Sequence, residues 1–188
     1  MDVNRWQALF ADLETEFDAA DAEDLSAEVA DRTRREYALL RLLDRLRPAV
    51  QCPVSVQLPA GVSVSGRLAD LGADWVMVSE EGAPGPVLVA LRHVVAIGGL
   101  GHLSSAPGSE GHVGARLDLR HALRRLARSR APVSVVLLDG SQLTGTIDRV
   151  GLDFLELAEH PTGEPRRARS VRQVRAVVLS AVAVVRVG

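Results

Sequence analysis

The sequence has no lysine and only one cysteine among its 188 residues, and aromatic side chains account for just 3% of them. The single thiol, Cys52, excludes an intrachain disulfide. No apolar run approaches the roughly 20 residues that a transmembrane helix requires. The N-terminus also lacks the basic start and the apolar stretch of a signal peptide. We therefore expect a cytoplasmic protein without a membrane partner.

Motifs that would indicate an enzyme are missing as well. A phosphate-binding loop of the Gly-x-x-x-x-Gly-Lys type cannot exist without lysine, and no Gly-x-Ser-x-Gly elbow with partners occurs. The five histidines have no His, Cys or carboxylate at a recognised metal-ligand spacing. Asp74 and Asp153 could act as paired carboxylates, but both lie in equivalent turns, where aspartate commonly caps the backbone. The sequence thus predicts no enzymatic activity, no metal and no cofactor.

Charge is distributed unevenly along the chain. All 22 basic residues are arginines, which is typical of a high-G+C genome and reduces what their number says about function. Residues 1–31 carry ten acidic side chains and one arginine, whereas residues 111–188 carry thirteen arginines and seven acidic side chains. The C-terminal part could therefore attract a polyanion that the N-terminus would repel.

The first 47 residues predict two helices. Apolar side chains recur at helical spacing over residues 3–22, with acidic residues on the other faces. This stripe consists of Trp6, Leu9, Phe10, Leu13 and Phe17. A second helical run begins near Ser26 and ends before Pro48, because the residue before a proline is disfavoured in a helix. We expect an acidic helical hairpin whose stripe packs on the second helix, on a partner protein or on another copy of the chain.

The main feature of the sequence is an internal repeat. Residues 53–80 align without a gap with residues 132–159, and ten positions have the same residue 79 positions later. These positions are Pro53, Val54, Ser55, Val56, Leu58, Gly61, Gly66, Gly72, Asp74 and Glu80. After a longer insertion in the second copy, residues 91–97 align with residues 179–185. Self-similarity of this kind predicts the same small domain twice in tandem.

Each copy has the period of two that is typical of strands with one buried face. Val54, Val56 and Leu58 share one face of the first strand, and Gly66 lets the second strand bend sharply. Three more short apolar segments complete five antiparallel strands. Between the copies lies a stretch rich in Gly and Ser, which predicts a flexible linker. A helix over residues 116–129 then precedes the second copy.

A helix followed by five bent strands, with Val64-x-Gly66-x-Leu68 in the second strand and an apolar-x-apolar third strand, resembles the Sm-like fold. The resemblance covers residues 40–100 and 116–188. It implies small barrels that bind uridine-rich or adenine-rich RNA, often as rings joined between the fourth and fifth strands. Trp75 and Phe154 stand where the Sm pattern has a base-reading asparagine.

In Sm-like proteins the loop between the fourth and fifth strands carries Arg-Gly, or Lys-His in bacterial RNA chaperones. Arg92-His93 is close to this pattern, whereas the second copy has Ser180-Ala181. The chain also resembles a family of high-G+C Gram-positive bacteria that is sometimes labelled as Fis-type regulators. The helix-turn-helix that this label implies is not evident in the sequence.

Together these patterns predict an α+β protein: an N-terminal helical hairpin followed by two tandem Sm-like five-stranded antiparallel β-barrels, each preceded by a helix. The expected hairpin covers residues 1–47, and its second helix leads into the first barrel at residues 48–101. Residues 102–115 form the expected linker, and residues 116–188 contain the second helix-plus-barrel unit.

The candidate binding residues are basic or aromatic. Those that could contact phosphates are Arg92, His93, Arg124, Arg125, Arg128, Arg166, Arg167, Arg169, Arg172 and Arg175. The alternative for this set is a solvated surface that codon bias has enriched in arginine. Trp75 and Phe154 could stack on bases, or they could lie in the cores of the barrels.

Two functions remain open from the sequence. The first is a non-enzymatic module that associates with RNA or DNA through the basic face of the second copy. The second is a protein-interaction or assembly module that uses the acidic N-terminal helices and exposed strand edges, with self-association through those edges as one form.

Overall fold

The structure is a computed structural model, and it describes residues 28–108, 117–161 and 171–188. The chain divides into two compact units, Met1–Arg41 and Leu42–Gly188. The predicted helix over the N-terminal aromatic stripe, with Trp6, Phe10, Leu13 and Phe17, lies outside the described residues.

In the first unit, residues 28–38 are helical and form α1. The ion pair between Arg32 and Glu36, with Nε and Oε1 3.1 Å apart, joins successive turns of this helix. The helix ends in a tight turn, in which the amides of Leu39 and Leu40 donate to carbonyls three residues earlier.

The second unit contains two α-helices and ten strands in its described part, besides short 3₁₀ turns. The helices are α2 (Leu42–Leu46) and α3 (Leu119–Ser129). The strands are β1 (Pro53–Gln57), β2 (Ser63–Leu71), β3 (Trp75–Ser79), β4 (Val87–Ala90), β5 (Ala96–Gly98), β6 (Pro132–Leu137), β7 (Gln142–Val150), β8 (Phe154–Glu159), β9 (Gln173–Val178) and β10 (Val182–Val187).

All ten strands form one antiparallel sheet in the order β5-β1-β2-β3-β4-β10-β6-β7-β8-β9. Strands β5 and β9 are its two ends. The pairings in the two halves have the same register 79 residues apart: Val54 lies opposite Gly66, and Val133 lies opposite Gly145. The halves are joined where β4 pairs with β10, with Val89 opposite Val184.

The second strand of each half bends at equivalent points. The pairing shifts by one residue between Leu68 and Asp70 in β2, and between Ile147 and Arg149 in β7. Such a bulge bends the strand and increases its twist. Gly66 lies in the same strand, where a Cβ atom would come within 2.2 Å of the Ser79 carbonyl oxygen. The absence of a side chain thus lets two backbones approach closely.

The buried side chains form two hydrophobic clusters, one on each face of the central strands. All four residues of β4 are buried: Val87 and Val89 belong to the first cluster, and Leu88 and Ala90 belong to the second. In β10, Val184 belongs to the first cluster and Val185 to the second. These two strands therefore have an apolar run instead of an alternating pattern, because both of their faces are covered.

The predicted fold, a helical hairpin followed by two tandem Sm-like five-stranded β-barrels, is wrong. The strands of both halves belong to one open ten-stranded sheet, because the two-sided apolar strand β4 pairs with β10 instead of ending a separate barrel. The predicted second helix is also interrupted after residue 38, and α2 is only five residues long. Leu46 of α2 is buried in the first cluster, so packing on the sheet fixes this short helix.

Among the described residues, no helix combines the length and the apolar character that crossing a bilayer would require.

The close backbone approach at Gly66 gives a stability prediction. We expect Gly66→Ala to lower the free energy of unfolding by about 1–3 kcal/mol or more, since the new methyl group overlaps the Ser79 carbonyl. Gly101→Ala is the matched control, because a Cβ atom there has no heavy atom within 4 Å. Urea unfolding measures the stability of both variants. Equal midpoints would contradict the predicted overlap of the new methyl group with the Ser79 carbonyl.

Candidate functional site

Polar contacts reinforce the junction between the two halves of the sheet. The Arg186 guanidinium in β10 donates to the carboxylate of Glu80, which follows β3. The amide of Leu119, the first residue of α3, donates to Asp74 Oδ1 at 2.7 Å. Asp74 therefore caps the helix of the other half, whereas the sequence analysis expected it to cap its own turn.

Arg92 and His93 lie in a 3₁₀ turn between β4 and β5, beside the equivalent turn Leu179–Ala181 of the second half. The Arg92 guanidinium donates from Nη2 to the Leu179 carbonyl and from Nε to His93 Nε2, at 3.0 Å in the second case. Burial, followed by the charge of Arg92, lowers the pKa of His93, against the opposing effect of a hydrogen bond with the Ser180 backbone. Arg92 thus links the two turns through its hydrogen bond to the Leu179 carbonyl.

A cavity of about 400 Å³ opens beside these two turns. Its charged and polar lining residues are Asp74, Arg92, Asp118, Arg120, Asp153 and Ser180. Both cations are already engaged, because Arg92 donates to the Leu179 carbonyl and Arg120 donates to Asp118. The cavity therefore does not present a free cationic surface.

The arginines of α3 and β9 lie on different elements. Arg125 and Arg128 are exposed on α3, and Arg124 beside them is partly buried. Arg172 directly precedes β9, whereas Arg175 lies within it and donates to Glu159. Burial alone raises the pKa of Glu159, but hydrogen bonds from Arg175 and Gln173 outweigh it and lower this pKa. Arg166, Arg167 and Arg169 lie outside the described residues.

Trp75 and Phe154 begin equivalent strands but have different environments. Trp75 is 6% exposed, belongs to the second cluster and donates from Nε1 to the Leu117 carbonyl at 2.8 Å. Phe154 lies over Gly151 and is 37% exposed. The burial of Trp75 favours its interpretation as a core residue over base stacking, whereas Phe154 has an accessible ring.

The free end of the sheet at β9 carries exposed apolar side chains. Leu152 is 76% exposed just before β8, and Val178 is 52% exposed at the end of β9. Val174 and Phe154 are also exposed there. At the other end, Val95 precedes β5 and is 68% exposed. Within the described ranges, β5 and β9 each pair with one neighbouring strand.

The sequence analysis mentioned strand edges but did not identify these residues. Val174 and Val178 were hidden in a segment that reads as an ordinary apolar strand. Their exposure depends on which strand lies beside β9, and a local sequence pattern does not predict the neighbour of a strand. The described residues also contain no group of three His, Cys, Asp or Glu side chains that could hold a metal ion.

Comparison with family models, curated proteins and solved structures gives no match to this chain. The resemblances to Sm-like proteins and to the family labelled Fis-type therefore stay predictions from the sequence.

The different environments of Trp75 and Phe154 predict different costs of truncation. We expect Trp75→Ala to destabilise the fold by about 3–5 kcal/mol, since it empties a large buried site. Phe154→Ala should cost only about 1 kcal/mol, because much of its ring already contacts water in the single chain. Urea unfolding at low protein concentration measures the free energy of unfolding of both variants. An equal loss of stability in the two would contradict the difference in burial between Trp75 and Phe154.

Asp118 predicts a pH-dependent contribution from the start of α3. Burial raises its pKa, but hydrogen bonds from His121 and Arg120 prevail and lower the pKa to about 2. The charged carboxylate therefore stabilises the fold above the unfolded pKa of about 3.9, and this contribution disappears as the pH falls towards 2.

We expect Asp118→Ala to cost about 0.5–2 kcal/mol at pH 7, because the amide of His121 loses its cap. Asp118→Asn keeps a capping oxygen but cannot titrate, so its stability deficit relative to the native chain should shrink between about pH 5 and pH 2. Thermal unfolding across this range tests both effects. A deficit that is independent of pH would contradict the role of the charge.

Proposed function

We propose that this chain is a non-enzymatic assembly module that binds a partner by adding the partner's β-strand to the open edge of β9. The observation that carries the proposal is the pairing of β4 with β10. Strand β9 corresponds to β4, since Phe154 lies opposite Val178 as Trp75 lies opposite Ala90. In β4 this position has a second neighbour, β10, and both faces are buried.

The backbone of β9 is suited to such an addition. The amide of Leu179 donates to the Asp153 carbonyl at 2.7 Å, so the odd-numbered residues of β9 face β8. Because hydrogen-bonding directions alternate along an antiparallel strand, the amides of Ala176 and Val178 point to the open side. An exposed row of this kind is a template for another strand.

The side chains beside this edge support the same proposal. Natural sheets usually protect a free edge with charges, prolines or a covering segment. Here Val174, Ala176 and Val178 are exposed, and Arg175 is already paired with Glu159. Apolar side chains around backbone groups that no described strand pairs with favour a protein strand as the ligand.

Association with nucleic acid, the other function that the sequence suggested, has less support. Two of its described candidates, Arg92 and Arg175, donate to protein oxygens. Of the described candidates, the exposed arginines of α3, Arg125 and Arg128, could still contact phosphates. Labelled RNA or DNA whose affinity falls steeply between about 50 and 200 mM salt would favour this alternative.

A labelled peptide with the sequence of residues 180–188 tests strand addition directly, because this segment contains β10, the strand that pairs with β4. We expect saturable binding by fluorescence anisotropy. Val187 donates to the Pro86 carbonyl, so the Val185 amide also points towards β4, and a Val185→Pro peptide should bind much more weakly.

The matched protein variants are Ala176→Pro and Ala176→Val. Proline removes the outward amide of β9 without breaking its ladder to β8, and we expect it to abolish binding of the peptide. Valine keeps that amide and should retain binding. Equal binding to both variants would place the peptide elsewhere and overturn the proposal.

A further inference from the structure

A cleft lies between α3 and the strands of the first half of the sheet, and we call it the α3 cleft. Helix α3 packs against β7 of its own half, and its Leu119 and Leu123 are buried in the second cluster. The α3 cleft has a volume of about 420 Å³. Its described lining residues belong to β2, β3, β4, α3 and the segment just before α3, and none belongs to β9. The cleft is therefore separate from the strand edge at β9.

The floor of the α3 cleft is apolar. Trp75 and Met77 of β3 and Leu88 of β4 line it from the first half. Ala122 and Leu126 line it from α3, where a spacing of four residues places them on one face of the helix. All five belong to the second hydrophobic cluster or pack against it. Ligand pockets are typically clefts of about 300–1,000 Å³ with mostly apolar walls, so the α3 cleft is suited to an apolar chain.

The rim of the α3 cleft carries one arginine, Arg125, which directly precedes Leu126 in α3. Within the described ranges, the Arg125 guanidinium makes no hydrogen bond and no ion pair. Arg120 of the same helix, by contrast, donates to Asp118. A guanidinium without a protein acceptor can donate two parallel hydrogen bonds to a carboxylate. The α3 cleft therefore offers an apolar floor and a cation to the same ligand.

The other charged groups at the rim restrict where an anion can lie. His121 also lines the α3 cleft, but its Nδ1 atom is 2.8 Å from Asp118 Oδ1 and is engaged within the helix. Asp70 of β2 lines the opposite side, and its carboxylate repels an anion close to it. We therefore expect the anionic group of a ligand on the helix side, at Arg125.

Two other cavities of similar volume have cations that are already engaged. One of about 420 Å³ lies beside the segment between β3 and β4, and its Arg186 is paired with Glu80. The cavity of about 400 Å³ beside the two 3₁₀ turns has Arg92 and Arg120, which both donate to protein oxygens. The state of Arg125 therefore favours the α3 cleft as the site of an anionic ligand.

We propose that the α3 cleft binds a free fatty acid, that is, a single acyl chain with one carboxylate. The acyl chain lies on the apolar floor between β3 and α3, and the carboxylate accepts hydrogen bonds from Arg125. The ligand is a free molecule and not a lipid within a bilayer, because the floor includes the buried side chains of Trp75 and Leu88. A single chain can enter a cleft of this size, whereas the flat surface of a bilayer cannot.

Isothermal titration calorimetry of the full chain with octanoate, decanoate and dodecanoate tests the proposal, at concentrations at which these acids are monomeric. We expect saturable one-to-one binding. The dissociation constant should fall about tenfold for each two added methylene groups until the chain fills the cleft, because each methylene leaves water. No saturable binding of any of the three acids would overturn the proposal.

Decanol and decylammonium separate the contribution of the charge from that of the chain. Both have the acyl chain length of decanoate, but decanol is uncharged and decylammonium is a cation. We expect decanoate to bind most tightly and decylammonium most weakly, since Arg125 attracts the first and repels the second. Equal affinities for decanoate and decylammonium would overturn the assignment of a carboxylate ligand.

Arg125→Gln and Arg128→Gln are matched variants, because both arginines are exposed on α3 but Arg128 does not line the cleft. We expect Arg125→Gln to weaken the binding of decanoate about three- to fivefold, as for a partly exposed ion pair. The binding of decanol should not change. Arg128→Gln should leave both affinities nearly unchanged, and equal effects of the two variants on decanoate would overturn the role of Arg125.

Trp75 reports whether the acid binds in the α3 cleft. The chain has two tryptophans, so the emission of a Trp6→Phe variant comes from Trp75 alone. We expect this emission to change on addition of decanoate with the dissociation constant that calorimetry gives. Ala122→Leu narrows the cleft and should lose this binding, with urea unfolding as the check that the variant is folded. Binding of decanoate without a change in Trp75 emission would place the acid elsewhere and overturn the proposal.

Vesicles of phosphatidylglycerol test a membrane as the alternative source of acyl chains. We expect the native chain and Arg125→Gln to cosediment with these vesicles equally little, while the native chain binds monomeric decanoate. Cosedimentation of the native chain that Arg125→Gln loses, without binding of the free acids, would assign the cleft to a membrane surface and overturn the proposal.

Discussion

The fold of Leu42–Gly188 depends on the backbone ladder between β4 and β10. This ladder turns two five-stranded segments into one sheet, and it places apolar side chains on both faces at its centre. An unpaired β4 would expose backbone donors and acceptors beside four apolar side chains, which is costly in water and promotes aggregation. The pairing of these two strands is therefore a requirement for the rest of the core.

The contacts around the ladder extend this dependence to α3. Asp74 from the first half caps the first turn of α3, and Trp75 donates to the carbonyl of Leu117 just before that helix. Because Trp75 also belongs to the second hydrophobic cluster, the second half lacks a complete core without the first. The two halves are thus similar in local structure but not independent in packing.

Much of the strand pattern could be predicted from the sequence, because local physical constraints determine it. The alternation of Val54, Ser55 and Val56 identified β1, and Gly66 indicated the bend in β2. The sequence predicted that Asp74 caps its own turn, whereas its side chain accepts from the amide of Leu119, 45 residues later in the chain. The alternation in β1 and the bend in β2 depend on neighbours close in the sequence, whereas the contact of Asp74 does not.

The arrangement of the strands could not be predicted in the same way. The run from Val87 to Ala90 showed that β4 is apolar on both faces, but not that β10 covers it. The same limit applied to Phe154, whose residue type allowed a core position, whereas the residue is 37% exposed in the structure. Pairing over about a hundred residues is determined by the complete chain, and single-strand periodicity contains no information about it.

The location of β10 at Val182–Val187 has a consequence for the order of folding. During synthesis, β4 emerges long before β10, the strand that covers it. The apolar edge of β4 therefore stays exposed until β10 has been synthesised. Contacts that are so distant in sequence raise the contact order and slow the final step. A ribosome-bound chain that ends before β10 should therefore need chaperones to prevent aggregation. Once β10 has left the ribosome, it can pair with β4 and complete the native fold.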